Sequence, residues 1–409
     1  MMDEAEAIGS RARRARLRMG MTQADLAAAL GRTQGWVSKL ERGRIEIDRV
    51  GLLNKVAAEL HIHPNDLAGR PYATSPAENQ WQVAASSIVR ELRRYDLAPV
   101  FDGTPRPSQV LWRDMTRLHR LRDAAANVAI LRALPDMLRE ARALAEISHG
   151  REREEGFAQY AVMCKFAHTA AHSLGHPELV AMACERAAWA ARLSGDPVLP
   201  AVADWMRVWD MWTTADWADA VALSDKALAS LDDDYRRGDP LAVRAWGSLQ
   251  LRAAVSAARA GNAEETTARI SFARIAAGRV DDEDGPPVYD RHSLTFSSGN
   301  VAIHAVSVAL EVGDQAQALA LNARTHPSVV AVLPHSRQGH HHLDLARAWL
   351  WDGNRDKALA ELEHAERLAP QLVRNHPMAR STLRSLVYAE RAVTRDKLRR
   401  MSDRFRLDL

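Results

Sequence analysis

The chain has 409 residues, 47% hydrophobic and 26% charged, with a formal net charge of +3. At about 100–200 residues per domain this length predicts two or three folded units, and the balance excludes wholesale disorder and a fibrous protein. The longest apolar stretches, such as Val301–Leu310, contain polar residues and stop short of the roughly 20 needed to span a bilayer; Met1-Met2-Asp3-Glu4 begins acidic without an apolar signal region, so a cytoplasmic location without membrane contact is expected.

From Ala5 to Arg18 sparse apolar positions among arginines predict a helix with one buried stripe and a basic face. Thr22 is a good N-cap for a short helix carrying Leu26, Ala27 and Leu30 inward, closed by Gly31. A second short helix follows the N-cap Thr33 and runs from Gln34 through Val37 and Leu40 to Gly43. Two helices joined this tightly must cross steeply, as in a helix-turn-helix. A helix over Arg49–Leu60 and a last turn at Pro64–Leu67 complete a small five-helix core. Between Ile8 and Ile45, nine cations (Arg11, Arg13, Arg14, Arg16, Arg18, Arg32, Lys39, Arg42, Arg44) face two anions, Asp25 and Glu41. The whole chain is rich in arginine, so it is the local excess that signals a polyanionic partner.

Leu17-Arg18, Met21 to Ala27, Gly31, Val37 to Gly43 and Leu60 to Leu67 resemble, in order and spacing, the phage-repressor-like (XRE-type) helix-turn-helix family. Gly35 and Trp36 depart from it, where the family more often has polar or small residues. The resemblance implies a double-stranded DNA operator as partner, with the second short helix entering the major groove. Gln34 and Lys39 are then the best base readers, toward adenine and guanine respectively. Gly35 allows close approach, and Trp36 stacks on sugar or meets a thymine methyl. Gln23, Arg32, Thr33, Arg42 and Arg44 are expected on phosphates, with Ser38 on the same surface.

Gly69 to Asn79 holds two prolines, a glycine and small polar residues, and reads as a linker. The expected division is 1–68 for DNA binding, 69–80 for the linker, 81–150 for bridging or dimerisation helices, 151–395 for a ligand-sensing repeat domain and 396–409 for a tail. Helical spacing runs over Val83–Leu97, Val110–Leu131 and Leu134–Ile147, with Pro99, Pro105 and Pro107 as breaks and Pro135 in a first turn.

Beyond about residue 155 a pattern recurs: a small residue, five positions on Ala, Thr or Val, and seven further usually Ala. It occurs at Gly175/Val180/Ala187, Ala215/Ala220/Ala227, Gly261/Thr266/Ala273, Gly313/Ala318/Thr325 and Gly353/Ala358/Ala365. Such spacing predicts stacked helix pairs with variable loops, including acidic connections at Asp232–Asp234 and Asp281–Asp284. The last copy resembles a tetratricopeptide repeat through Leu345, Ala346, Trp349, Ala358, Leu362, Ala365 and Pro370. The expected fold class is therefore all-α, a helix-turn-helix domain followed by a tetratricopeptide-like superhelix. Segments such as Gly299 to His304 and Asn375-His376-Pro377 resemble actinobacterial XRE-type regulators with tetratricopeptide-like C-terminal domains. More distantly, the chain resembles peptide-pheromone-sensing (quorum-sensing) regulators.

Transferring the last repeat's frame to the earlier copies points Lys165, Thr169 and His172, then Trp205, Trp209 and Trp212, then Ser248, Leu251, Val255 and Arg259, then Asn300, Ile303 and Ser307, and finally His340 and Arg347 into a concave groove. The tryptophans stand at i, i+4 and i+7, on one helix face. Lys165, Arg259 and Arg347 suit a carboxylate or phosphate, Asn300 a peptide amide, and His304 lies one turn from Asn300. Two readings are open at this stage for the tryptophans, ligand platform or helix packing, and two for Asn300, ligand contact or cap. His340-His341-His342 points three ways around a helix and does not form a metal site. Cys164 and Cys184 read as reduced, buried small hydrophobes. No phosphate-binding Gly-Lys loop, nucleophile elbow, His-Glu-x-x-His or Cys-x-x-Cys occurs, so neither an enzyme nor a cofactor is expected. The expectation is a homodimeric, operator-binding transcription regulator modulated by a peptide or small molecule; the alternative is a scaffold whose groove holds a partner protein, DNA contact being secondary.

Overall fold

The computed structural model describes residues 8–68, 76–280, 291–388, 394–405 and 407. Among them all regular structure is helical. Five helices open the chain: α1 (Ile8–Arg18), α2 (Gln23–Leu30), α3 (Gln34–Glu41), α4 (Val50–Glu59) and α5 (Pro64–Ala68). Thr22 starts α2 through a reciprocal capping box, its hydroxyl accepting from Asp25 N–H at 3.1 Å while Asp25 accepts from Thr22 N–H at 2.8 Å. Gly31, with φ 65°, ends that helix in the left-handed conformation, and the Thr33 hydroxyl caps α3 by accepting from Trp36 N–H at 3.2 Å. Ile8, Ala12, Leu26, Leu30, Val37, Leu40 and Val56 form the buried centre. At Gly9 a Cβ would stand 1.9 Å from the Leu40 carbonyl oxygen, so only glycine lets α1 lie this close to α3.

Helices α6 (Pro76–Arg93), α7 (Ser108–Asp123) and α8 (Asn127–Ile147) follow. The linker expected at 69–80 lies outside the described residues over 69–75, and 76–80 belong to α6. The single helix expected over Val110–Leu131 is broken at Ala124–Ala126, where Ala125 takes φ 53°. Pro135 accordingly sits inside α8, more than two turns from its start, not in a first turn.

The repeats are helix pairs: α9 (Gly150–Leu174) with α10 (Pro177–Ala191), α11 (Leu199–Met211) with α12 (Trp217–Arg237), α13 (Pro240–Ala260) with α14 (Ala263–Ala277), and α15 (Ser298–Glu311) with α16 (Gln315–Arg324). After the short α17 (Pro327–Ala331) comes the final pair, α18 (His335–Trp351) with α19 (Arg355–Leu368), then α20 (Pro370–Asn375), α21 (Pro377–Tyr388) and α22 (Arg395–Phe405). The small residues that open the sequence pattern are the left-handed turns inside these pairs, with φ of 74° at Gly175, 62° at Ala215, 82° at Gly261, 91° at Gly313 and 84° at Gly353. The second position of each copy is buried: Val180, Ala220, Thr266, Ala318 and Ala358. The turn needs a residue tolerant of positive φ, and the crossing needs one small enough for two helices to meet.

One expected loop and the expected tail come out differently. Asp232–Asp234 lie within α12, which continues to Arg237 because Asp232 pairs with Arg236 and Asp234 with Arg237 along the helix. Asp281–Asp284 lie outside the described residues. The expected tail, of which 406, 408 and 409 are also outside, contains α22, whose Leu398, Met401 and Phe405 are buried.

The first domain is docked onto the last repeats. One apolar cluster runs from Leu26, Leu40 and Leu53 through Leu343, Ala346 and Leu362 to Met401 and Phe405. Polar contacts line the seam. Arg347 donates to the Asp48 carbonyl from Nε at 3.0 Å and from Nη2 at 2.6 Å. Ser381 donates to the Ile47 carbonyl at 2.8 Å, Gly51 N–H donates to Glu311 at 3.2 Å, and Asn54 donates to the Trp212 carbonyl. No helix of the described residues is long and apolar enough to cross a membrane.

Candidate functional site

The first candidate surface is the outer face of α2 and α3. Gln34, Gly35 and Lys39 are exposed at and after the N-terminus of α3, with Arg32, Thr33, Arg42 and Arg44 exposed around them and Trp36 and Ser38 half-buried. The Arg32 guanidinium lies 5.6 Å from the Trp36 ring centre, and Arg42 folds back on Ser38, donating to its carbonyl at 3.0 Å and its hydroxyl at 2.7 Å. Gln23 is less free than expected, since its amide donates to Glu41 at 2.8 Å. Glu41 is also gripped by buried Arg16, at 2.6 and 3.0 Å. Burial pushes the Glu41 carboxyl up, but Arg16 and Gln23 outweigh it and hold the group below the usual carboxylate range. Of the nine cations in this stretch, Arg16 is therefore spent inside the domain, and Arg11 donates to the Leu67 and Ala68 carbonyls.

The second is a cavity of about 230 Å³ between the first domain and the repeats. One wall is α4 with the start of α5 (Val50, Leu53, Asn54, His63, Pro64); the others come from α9 to α11, α13, α15, α18 and α20 to α21. Ten groove residues expected from sequence reach it: His172, Trp209, Trp212, Val255, Arg259, Ile303, His304, Ser307, His340 and Arg347. His172 stacks on Trp209 with ring centres 4.0 Å apart, and the Trp212 indole donates to Ser256 at 2.8 Å.

Lys165, Thr169, Trp205 and Asn300 do not line this cavity. Residues 293–296, ahead of α15, occupy their part of the groove. Lys165 donates to the Ser293 carbonyl and Asn300 to the Thr295 carbonyl, and Phe296 packs so tightly on Gly247 that a Cβ there would stand 1.9 Å from its ring. The Thr169 hydroxyl bonds within its helix to the Lys165 carbonyl, and Trp205 is buried beneath Lys165 and Arg252, whose charged ends lie 5.4 and 4.0 Å from its ring centre. Arg347 borders the cavity but is committed to Asp48 and to Asp344, at 2.9 Å.

Sequence reasoning missed Arg252, Arg337, Asn54, His63, Asp344 and His376, all of which line the cavity. Arg252 belongs to the face 248, 252, 255, 259 of α13; Leu251, chosen for that face, is buried in apolar core one residue around the helix. Continuing the spacing of His340 and Arg347 by one turn either way reaches Arg337 and Asp344.

Charge is unevenly distributed here. Arg347 has Asp344, and Arg259 has Glu311 at 3.7 Å. Arg252 is buried, and among the described residues its Nε and Nη2 have no hydrogen-bond partner; its guanidinium rests 4.0, 4.4 and 4.9 Å from the ring centres of Trp205, Trp209 and Trp212. Burial, then the neighbouring Arg337 and Arg259, drive its pKa well down. Burial also lowers Arg337, to about 10. His172, His304 and His340 are each lowered to about 3, first by burial and then by nearby arginines, so they are neutral at physiological pH.

The other two histidines of the triplet are engaged elsewhere: His341 with Asn322 at 3.0 Å, and His342 with Glu361 at 2.6 Å and stacked on His364. Among the described residues no group of three His, Cys, Asp or Glu side chains is placed to hold a metal ion. Cys164 and Cys184 are buried free thiols whose pKa burial raises.

No curated protein matches the chain. Among solved structures it is similar to Bacillus thuringiensis PlcR in complex with the peptide PapR7 and DNA, at 14% identity and a TM-score of 0.27, over 67% of this chain and 95% of that one. At that score neither the peptide nor the DNA of the complex carries over to this chain. Residues 7–67, which contain α1 to α4 and all but the last residue of α5, match the family described as Helix-turn-helix domain.

Proposed function

We propose that this chain is a sequence-specific DNA-binding transcription regulator whose cavity ligand sets the position of the DNA-reading domain. Gln34 at the exposed start of α3 and Lys39 in its last turn read base edges, and Arg32, Thr33 and Arg44 hold phosphates. The observation that carries the regulatory part is the shared wall: Val50, Leu53 and Asn54 of α4 border the same cavity as Trp209, Arg252 and His340 of the repeats. A ligand there touches the DNA-reading domain directly, so it favours the docked or the shifted arrangement according to the contacts each offers.

The active species is a homodimer on an inverted repeat, in which two α3 helices must match half-sites about 34 Å apart or a multiple of it. The test is selection of duplexes from a random pool by the full chain, followed by affinity measurement at fixed salt. The expected result is a twofold-symmetric site, a fall in affinity of at least tenfold for Gln34→Ala with Lys39→Ala, and little change in nonspecific binding. Equal binding of selected and scrambled duplexes would overturn the proposal and favour the scaffold reading.

A further inference from the structure

We infer that the cavity takes a small organic anion, a carboxylate or phosphate joined to a flat apolar body, held by Arg252 and Arg337 against the Trp209–Trp212 face. This rests on the ligand-sensing reading above and names the chemistry that reading leaves open.

The argument begins with an uncompensated charge. A buried guanidinium without an anion is costly, and proteins ordinarily pair such a group. Arg259 and Arg347 follow that rule through Glu311 and Asp344. The buried Arg252 and the half-buried Arg337 do not: among the described residues neither forms an ion pair, and each borders the cavity. Of the neighbouring charges, Arg337 opposes the ionisation of Arg252 most strongly. His304 and His340 respond to both arginines, so the four side chains converge on one region.

Among the described residues Nε of Arg259 also lacks a hydrogen-bond partner, but Arg252 alone of the cavity arginines leaves both Nε and Nη2 unsatisfied, the adjacent N–H pair that a carboxylate or phosphate accepts in a two-pronged contact. Chloride offers no second oxygen for that fork. The stacked His172–Trp209 pair and Trp212 supply a flat apolar surface beside it. Size narrows the choice further. The cavity, about 230 Å³, lies below the roughly 300–1,000 Å³ typical of pockets for drug-sized ligands, which suits a metabolite and not an extended peptide.

The test uses the full chain and two probes, inorganic phosphate and benzoate, with benzamide as the uncharged counterpart of benzoate. Thermal unfolding is followed at pH 7.5 and constant ionic strength, with sodium chloride replaced stepwise by up to 20 mM probe. A saturable rise of about 2 °C or more with at least one anion, absent with benzamide, is expected. Phosphate and benzoate, acting separately, show which oxyanion is preferred. Arg252→Met and Arg337→Met are each expected to lose that rise while melting no lower than the parent without probe, because each removes an unpaired cation. The inference fails if the parent is indifferent to both anions, if benzamide equals benzoate, or if both variants keep the anion response. It fails also if both variants melt several degrees lower, the result of a structural role against the tryptophans. DNA binding by the same variants separates this failure from that of the regulator: specific binding retained without an anion response rejects the ligand class alone.

Discussion

Arg347→Met offers a direct measure of how firmly the first domain is seated. The Arg347 side chain, 2% exposed, makes two hydrogen bonds to the Asp48 carbonyl and one to Asp344, itself a largely buried carboxylate. Methionine keeps much of the stem and removes all three. A hydrogen bond to a charged group contributes about 1.5–3 kcal/mol, and the two to Asp48 share one acceptor and do not add fully. Leaving a buried partner unpaired costs about 3–5 kcal/mol, which sets the expected loss. Because α1 to α5 keep their own core around Leu26, Val37 and Leu40, this loss falls on docking and not on their folding. Gly51 N–H lies in the first turn of α4, where no carbonyl of the helix is available to it, and it bonds Glu311 across the seam. Its hydrogen exchange therefore reports undocking, and mass spectrometry of the peptide around it is expected to show exchange roughly 100- to 4,000-fold faster in the variant, at tenfold per about 1.4 kcal/mol. Exchange within threefold of the parent would refute the assignment of Arg347 as a clamp.

Glu41→Ala strips the buried Arg16 of its two-pronged partner and is expected to lower the stability of the first domain by about 3–5 kcal/mol, read by chemical unfolding. Ala215→Gly replaces a left-handed alanine by the residue that the other four copies use, and a gain of about 1 kcal/mol is expected from the urea midpoint. The cavity histidines give a pH signature: His172, His304 and His340 bind protons near pH 6.5 when unfolded but only near pH 3 when folded. The unfolded chain thus holds more protons between those values, so stability is complete above about pH 6.5 and declines as pH falls through that window. Urea midpoints at pH 7.5, 6 and 5 are expected to decrease in that order, and His340→Gln is expected to flatten the trend.

The repeat architecture was legible because its signals are local. A residue at positive φ and a helix crossing that admits only small side chains recur at fixed spacing, so Gly261 and Ala273 can be read without knowing their neighbours. The starts of α2 and α3 were legible for the same reason, through the caps at Thr22 and Thr33. The groove was only partly so. Its frame placed His172, Trp209 and His340 correctly, but a shift of one residue on α13, about 100° of rotation, exchanged Arg252 for Leu251. Lys165 and Asn300 failed for another reason: the Ser293–Phe296 segment fills their stretch of groove, and no periodicity in a helix announces which loop will lie against it. The α4 wall depends on contacts some 160 to 300 residues apart in sequence, such as Asn54 with Trp212 and Asp48 with Arg347, which a single sequence does not display.

That long-range seam also bounds what regulation is able to achieve. An effector shifts an equilibrium only by its difference in affinity for the two arrangements, and moving it from 1:99 to 99:1 takes about 5.5 kcal/mol. The docked arrangement is held by an apolar cluster together with Arg347, Ser381 and Glu311, so a ligand that released it would have to outweigh several such contacts at once. A ligand that tightened it would need only to join Arg252 and Arg337 on the repeat side to Asn54 or Val50 on the α4 side. Physical economy therefore favours an effector that locks α4 against the repeats. By reciprocity, a duplex that requires the locked arrangement would raise the affinity for that effector by the same factor that the effector raises affinity for the duplex.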